Sequence, residues 1–170
     1  MKKIICLIFV VFITSCNENM IILSSSLKEA EDGIHTYLGT PYTGEVAYKE
    51  VVKGLLGIRF IDARKGDIIG TIMTYKEGRP IGLKSFFKNS PTRIIEIEGT
   101  KYEVGEDITL KVDETTYKQY NEQGLMVEAE VKWGSSFFIF DGNATEYQAD
   151  GTENKLIFES GKLINGAFIE

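Results

Sequence analysis

Tyr75-Lys76-Glu77-Gly78-Arg79-Pro80-Ile81-Gly82-Leu83-Lys84-Ser85-Phe86-Phe87 is the stretch that decides how this chain folds. It reads as a strand end, a Gly/Pro turn and a returning strand, with aromatic rings on both sides of the turn. Rings suit pleated surfaces, and glycine supplies the positive φ that tight turns need. Looser versions follow downstream. Tyr120 precedes Gly124, Trp133-Gly134 precedes Phe137-Phe138, Tyr147 precedes Gly151, and Phe158 precedes Gly161 and Gly166. The pattern predicts a row of β-hairpins.

Outward from that turn the text stays strand-like. Ile34 to Leu38, Tyr42 to Tyr48, the glycine-interrupted run Val51 to Ile61, Ile68 to Tyr75 and Leu83 to Lys88 read as strands. Arg64-Lys65-Gly66-Asp67 and Asn89-Ser90-Pro91 read as breaks between them. Two later segments alternate strictly. Ile95 and Ile97 oppose Glu96 and Glu98, while Val127, Ala129, Val131 and Trp133 oppose Glu128, Glu130 and Lys132. Such alternation marks strands with one wet face. Asp141-Gly142, Asp150-Gly151 and Asn165-Gly166 read as hairpin turns. Tyr120 and Tyr147 stand the same distance apart as Gly124 and Gly151, so a hairpin unit repeats. A single hairpin cannot bury its own apolar face, and stacked neighbours can. The expected class is therefore all-β: an antiparallel meander of stacked β-hairpin repeats forming an elongated sheet, free to curl. Residues 33–170 form that one domain. Only Ser26-Leu27-Lys28-Glu29, a capping-box pattern, suggests a helical turn.

The amino end reads differently. Lys2-Lys3 precede the apolar run Ile4 to Ile13, and Ile13-Thr14-Ser15-Cys16 follows. An apolar run of about ten residues is too short for a spanning helix, which needs ~20. It has the form of a secretory signal. Ile13-Thr14-Ser15-Cys16 resembles the lipobox of bacterial lipoproteins. The resemblance implies cleavage after Ser15, so that residues 1–15 are leader, and lipid attachment at Cys16. Residues 16–32, with Ser24-Ser25-Ser26, read as lipidated cysteine and tether. Cys6 and Cys16 are the only cysteines, so the exported domain relies on its core rather than on disulfides. Asn17 after Cys16 favours the outer membrane over the inner one. Net charge is −6, and losing Lys2 and Lys3 with the leader makes it more negative by two. That balance argues against nucleic acid as a partner, since a nucleic-acid face is basic.

Asp32-Gly33-Ile34, Tyr37 and Pro41-Tyr42-Thr43-Gly44-Glu45-Val46 resemble the opening of bacterial MORN-repeat-variant proteins, some of which are known as antitoxins or immunity partners of secreted toxins. Tyr75-Lys76-Glu77-Gly78 with Gly82 and Phe86-Phe87 is similar to their repeat unit, as is Phe158-Glu159-Ser160-Gly161-Lys162 with Gly166. The resemblance implies a repetitive sheet and a binding role, and it transfers no catalytic residue. Pro80-Ile81 depart from the unit, and Lys101 to Val112 do not follow it.

Candidate chemistry is sparse. His35 is the single histidine, too little for a histidine metal site or a nucleophile–base pair. Glu96 with Glu98, and Glu128 with Glu130, place carboxylates two apart on one strand face. Retaining glycosidases need two carboxyls about 5 Å apart, and the spacing permits that. The plainer account is the wet side of a half-buried strand. Asp141-Gly142-Asn143 starts like a calcium loop, but Thr152 stands where the closing Glu belongs. Gly66-Asp67-Ile68-Ile69-Gly70 lacks the Gly-Lys-Ser/Thr of a phosphate loop. No catalytic, cofactor or metal residue is assigned. Tyr42, Tyr48, Tyr75, Tyr120, Trp133 and Tyr147 are either core rungs or a ladder for a partner. The functional expectation is a non-enzymatic, lipid-anchored envelope protein that reaches the membrane through its lipid. It would bind a protein partner, a toxin or an envelope protein. A small glycan-binding protein or glycoside hydrolase is the alternative.

Overall fold

A computed structural model describes residues 21–49, 68–87, 92–134 and 137–167. The fold is all-β, with no α-helix among the described residues. Its first half holds β1 (Ile21–Leu23), β2 (Lys28–Glu29), β3 (His35–Tyr37), β4 (Thr40–Pro41), β5 (Gly44–Tyr48), β6 (Ile68–Ile69), β7 (Thr71–Lys76) and β8 (Arg79–Phe86). The second half holds β9 (Thr92–Ile97), β10 (Thr100–Gly105), β11 (Ile108–Val112), β12 (Thr116–Asn121), β13 (Gly124–Trp133), β14 (Phe138–Tyr147), β15 (Glu153–Glu159) and β16 (Lys162–Asn165).

Ten strands form the main sheet in the order β1-β5-β7-β8-β11-β12-β13-β14-β15-β16. From β11 onward neighbours in sequence are neighbours in space, as a hairpin meander requires. Two features depart from a pure meander. β1 pairs with β5 in parallel, and β9-β10 leave the main sheet between β8 and β11. They form a small sheet of order β6-β10-β9, with β6 parallel to β10. A third sheet, β2-β3-β4, sits apart.

The opening stretch behaves as its residues dictate. Glu77 and Gly78 take φ 51° and 79°, the double left-handed turn that matches strand twist, and β7 and β8 pair back across it. Glu98-Gly99 and Ser160-Gly161 repeat that geometry between β9 and β10 and between β15 and β16. The third sheet clasps the first of these turns. The His35 amide donates to the Gly78 carbonyl at 2.8 Å, and the Gly78 amide donates to the Tyr42 carbonyl at 2.7 Å. A Cβ on Gly78 would stand 2.5 Å from Ile34 Cγ2 and 2.7 Å from the His35 carbonyl oxygen.

Alternation along the strands builds two cores. On the inner face Ile22, Val46, Met73, Leu83, Leu110, Tyr117, Val127, Phe140 and Leu156 belong to one continuous cluster running from β1 to β15. Tyr117 and Val127 are fully buried mid-sheet, the burial expected when a sheet curls over its own face. The opposite face carries Ala47, Ile72 and Phe86, which pack against Ile97, Tyr102 and Val104 of the small sheet. Each fully buried Leu or Val contributes about 1.5–3 kcal/mol, so both layers matter.

Several local expectations change. Residues 21–32, read as tether, are folded: Ile22 is completely buried in β1, and residues 24–26 form a 3-10 turn. The capping-box segment ends in strand β2 rather than in a helix, because no helical run follows to supply further bonds. Asp141-Gly142 is no turn. It lies inside β14, opposite the register shift between Ala129 and Val131. Asp150-Gly151 does join β14 to β15, with Asp150 Oδ1 accepting from the Thr152 amide. Asn165-Gly166 ends β16 and joins no two described strands. The 27-residue spacing corresponds to two side-by-side hairpins, β12-β13 and β14-β15. Val51 to Ile61, Arg64 to Asp67 and Asn89 to Pro91 lie outside the described residues.

Candidate binding groove

The carboxylates singled out in the sequence are engaged in structure. Glu128 is ion-paired with Lys118 at 3.0 Å across β12 and β13. Glu130 Oε2 accepts from the Asn143 amide at 3.0 Å and so ties the bulge in β14. A Cβ on Gly142 would come within 1.8 Å of that same oxygen, so the glycine makes room for the carboxylate. Glu96 lies on β9, directly opposite Lys101 of β10. Glu98 is instead in the turn, where its Oε1 accepts from Ser26 Oγ at 3.0 Å. These two therefore do not share a strand face. Asp141 Oδ1 accepts from the Ser160 amide at 2.9 Å and pins the last hairpin turn. No group of three metal-ligating side chains occurs among the described residues.

The aromatic series is mostly packing. Tyr42 and Tyr75 are buried, and Tyr48 is half-buried with its hydroxyl 2.9 Å from that of Tyr75. Burial, reinforced by Glu45, pushes the Tyr42 hydroxyl up to about 12. Burial and the Tyr48 hydrogen bond raise Tyr75 further. Trp133 is half-buried, stacks edge-on to Phe138 and donates its ring N–H to the Asp113 carbonyl. Tyr120 and Tyr147 are half-buried. His35 packs its ring 5.0 Å from that of Tyr75. Cys16 and Gly66-Asp67 lie outside the described residues, and Ile68-Ile69 form β6.

A groove of about 270 Å³ opens between the main sheet and β9. Its apolar surface comes from Ile21, Ile72, Phe86, Ile95 and Ile108, and its charges are Glu45, Lys84, Arg93 and Glu106. None of these four charges forms an ion pair with a described residue. These charges stand in water around an apolar strip, so a partner's opposite charges could pair with them there. Small-molecule sites run to roughly 300–1,000 Å³, so this volume suits inserted side chains better than a whole ligand. The groove residues come from β1, β5, β7, β8, β9 and the β10–β11 region, segments scattered over more than half the chain. Sequence reading found the alternation of Ile95 and Ile97 but had no signal that Arg93 and Lys84 line one groove.

Beside the groove runs a free strand edge. Among the described residues β9 pairs with β10 alone, and no hydrogen bond from another described residue reaches the outer edge of residues 92–97. Ile94 is 64% exposed there. No family model, curated protein or solved structure matches the chain.

Proposed function

We propose that this is a non-enzymatic, lipid-anchored protein of the bacterial envelope that binds a protein partner through its sheet. The observation that carries the reading is the groove between the main sheet and β9, where Glu45, Lys84, Arg93 and Glu106 surround apolar residues without an ion pair to any described residue. An apolar strip rimmed by charges, beside an exposed isoleucine, has the layout of a partner-binding surface. The resemblance to MORN-repeat-variant antitoxins makes a secreted toxin, or an envelope protein, the class of partner. The paired-carboxylate reading of a glycoside hydrolase draws no support from Glu128 and Glu130, which are engaged with Lys118 and Asn143.

Lipidation of Cys16 would hold the domain close to its membrane, with the outer membrane favoured. Five residue steps lead from Cys16 to Ile21, and an extended chain covers about 17 Å over that length. β1, one edge of the main sheet and one wall of the groove, would therefore lie next to the bilayer surface. Mass spectrometry of the native protein should find the amino-terminal peptide beginning at an acylated Cys16, and Cys16→Ser should release the protein from the membrane fraction. Affinity capture of the full-length protein from detergent-solubilised envelope should return one protein in near-equal amount. Recovery of the bait alone would end the partner reading.

A further inference from the structure

We propose that β9 receives an extended segment of the partner as an added strand, with an acidic side chain opposite Arg93 and apolar side chains opposite Ile94 and Ile95. This rests on the protein-partner reading above and names the chemistry of that partner. Three observations converge on it. The outer edge of β9 carries no hydrogen bond from another described residue, although its sequence, Thr92-Arg93-Ile94-Ile95-Glu96-Ile97, is rich in β-branched residues. An exposed edge of that composition is a template for strand addition. The free edge at β16 contrasts with it: only four residues long, with a register shift, and carrying Lys162 and Asn165.

The second observation is the split of side chains along β9. Arg93 and Ile95 line the groove, Ile97 continues into the core, and Ile94 is exposed on the other side. An added strand would extend both surfaces. Its residue opposite Ile95 stands on the groove side, among Ile21, Ile72, Phe86 and Ile108. Its residue opposite Ile94 covers that isoleucine.

Charge supplies the selectivity. On its own sheet Arg93 faces Val104, whereas Glu96 faces Lys101. Arg93 is thus the β9 charge left without an opposite number, and a groove-facing cation on an edge strand disfavours a strand that brings a second cation opposite it. Natural edges use inward charges this way to prevent indiscriminate pairing. Only a strand with an acid at that position gains a cross-strand charge pair instead of burying a bare guanidinium.

The test uses the full-length protein in detergent and synthetic threonine-rich peptides of about eight residues. One peptide carries acid–valine–valine and a second carries valine–valine–acid, covering parallel and antiparallel addition. Each has a counterpart with lysine in place of the acid. One acidic peptide is expected to bind at least tenfold more tightly than its lysine counterpart and to slow amide exchange within residues 93–96 at least tenfold. Arg93→Glu should reverse the preference. Methylating the peptide amides on one alternate set should abolish binding while the other set is tolerated. Equal binding of acid and lysine peptides, protection at β16 instead of β9, or loss of binding with both methylated sets would overturn the proposal. Arg93 and Ile94 are exposed, so Arg93→Glu and Ile94→Asp keep the fold, which circular dichroism checks. A captured envelope partner that binds both variants as it binds the parent refutes docking at β9 and leaves the partner reading intact. No captured partner refutes the partner reading, and the peptide result then judges β9 independently.

Discussion

Gly78→Ala compared with Gly99→Ala separates what a turn demands from what a neighbour demands. Both glycines are the second residue of a double left-handed turn, with φ 79° and 77°. Placing alanine in that conformation costs about 1–2 kcal/mol, and this term is common to both variants. Around Gly99 a new Cβ meets nothing within 4 Å. Around Gly78 it meets Ile34 Cγ2 at 2.5 Å and the His35 carbonyl oxygen at 2.7 Å. The methyl of Ile34 can rotate away, but the backbone oxygen cannot. Either the turn carries an overpacking strain of about 1–3 kcal/mol, or it retreats and weakens two backbone hydrogen bonds worth about 0.5–1.5 kcal/mol each. Gly78→Ala should therefore lose about 2–5 kcal/mol, roughly 1–3 kcal/mol more than Gly99→Ala. Urea unfolding followed by tryptophan fluorescence at Trp133 reads both. In a chain of this size the difference appears as a gap of roughly 2–12 °C in melting temperature. Equal losses from the two substitutions would refute the claim that the third sheet clasps the Gly78 turn.

Three further outcomes follow from other contacts. Gly142→Ala should be strongly destabilising in the parent but far less so on a Glu130→Ala background, because the clash is with the Glu130 carboxylate; a double-mutant cycle by urea unfolding that adds without coupling contradicts the bulge geometry. Gln119 is fully buried, accepts from the Tyr117 hydroxyl and leaves its amide nitrogen unpartnered. Tyr117→Phe and Gln119→Met should together lose less than the sum of their separate losses, because both remove the same hydrogen bond, and thermal melts that show simple additivity would contradict this. Tyr42 and Tyr75 keep their protons in the folded state above the ordinary tyrosine value of 10.0. The unfolded chain releases those protons first, so their contribution is complete below about pH 10 and declines as pH rises through the folded value of Tyr42, about 12. Ultraviolet titration should show these two hydroxyls ionising only with alkaline unfolding.

Much of the architecture is readable from local chemistry. Paired left-handed residues ending in glycine, rings on either side and strict alternation at Val127 to Trp133 are decided within one or two strands, so the residues themselves announce them. Where reading failed, a distant residue had taken over. Asp141-Gly142 has the composition of a turn, yet Glu130 of β13 holds Asn143 and the Ser160 amide, in the β15–β16 turn, holds Asp141, which keeps the pair inside β14. Residues 21–32 read as a polar tether because one buried residue, Ile22, gives no periodic signal, and its burial depends on the pairing of β1 with β5.

The candidate site belongs to that second class. Lys84, Arg93, Glu45 and Glu106 are unremarkable in sequence, and β9 looks like any half-wet strand. What the chain determined alone is its class and its hairpins, because turn conformation and face alternation are short-range properties. Which strands end as edges, and which charges line one groove, depends on chain segments tens of residues apart being brought together. Only the tertiary structure decides that, since no local preference records where the next strand is missing.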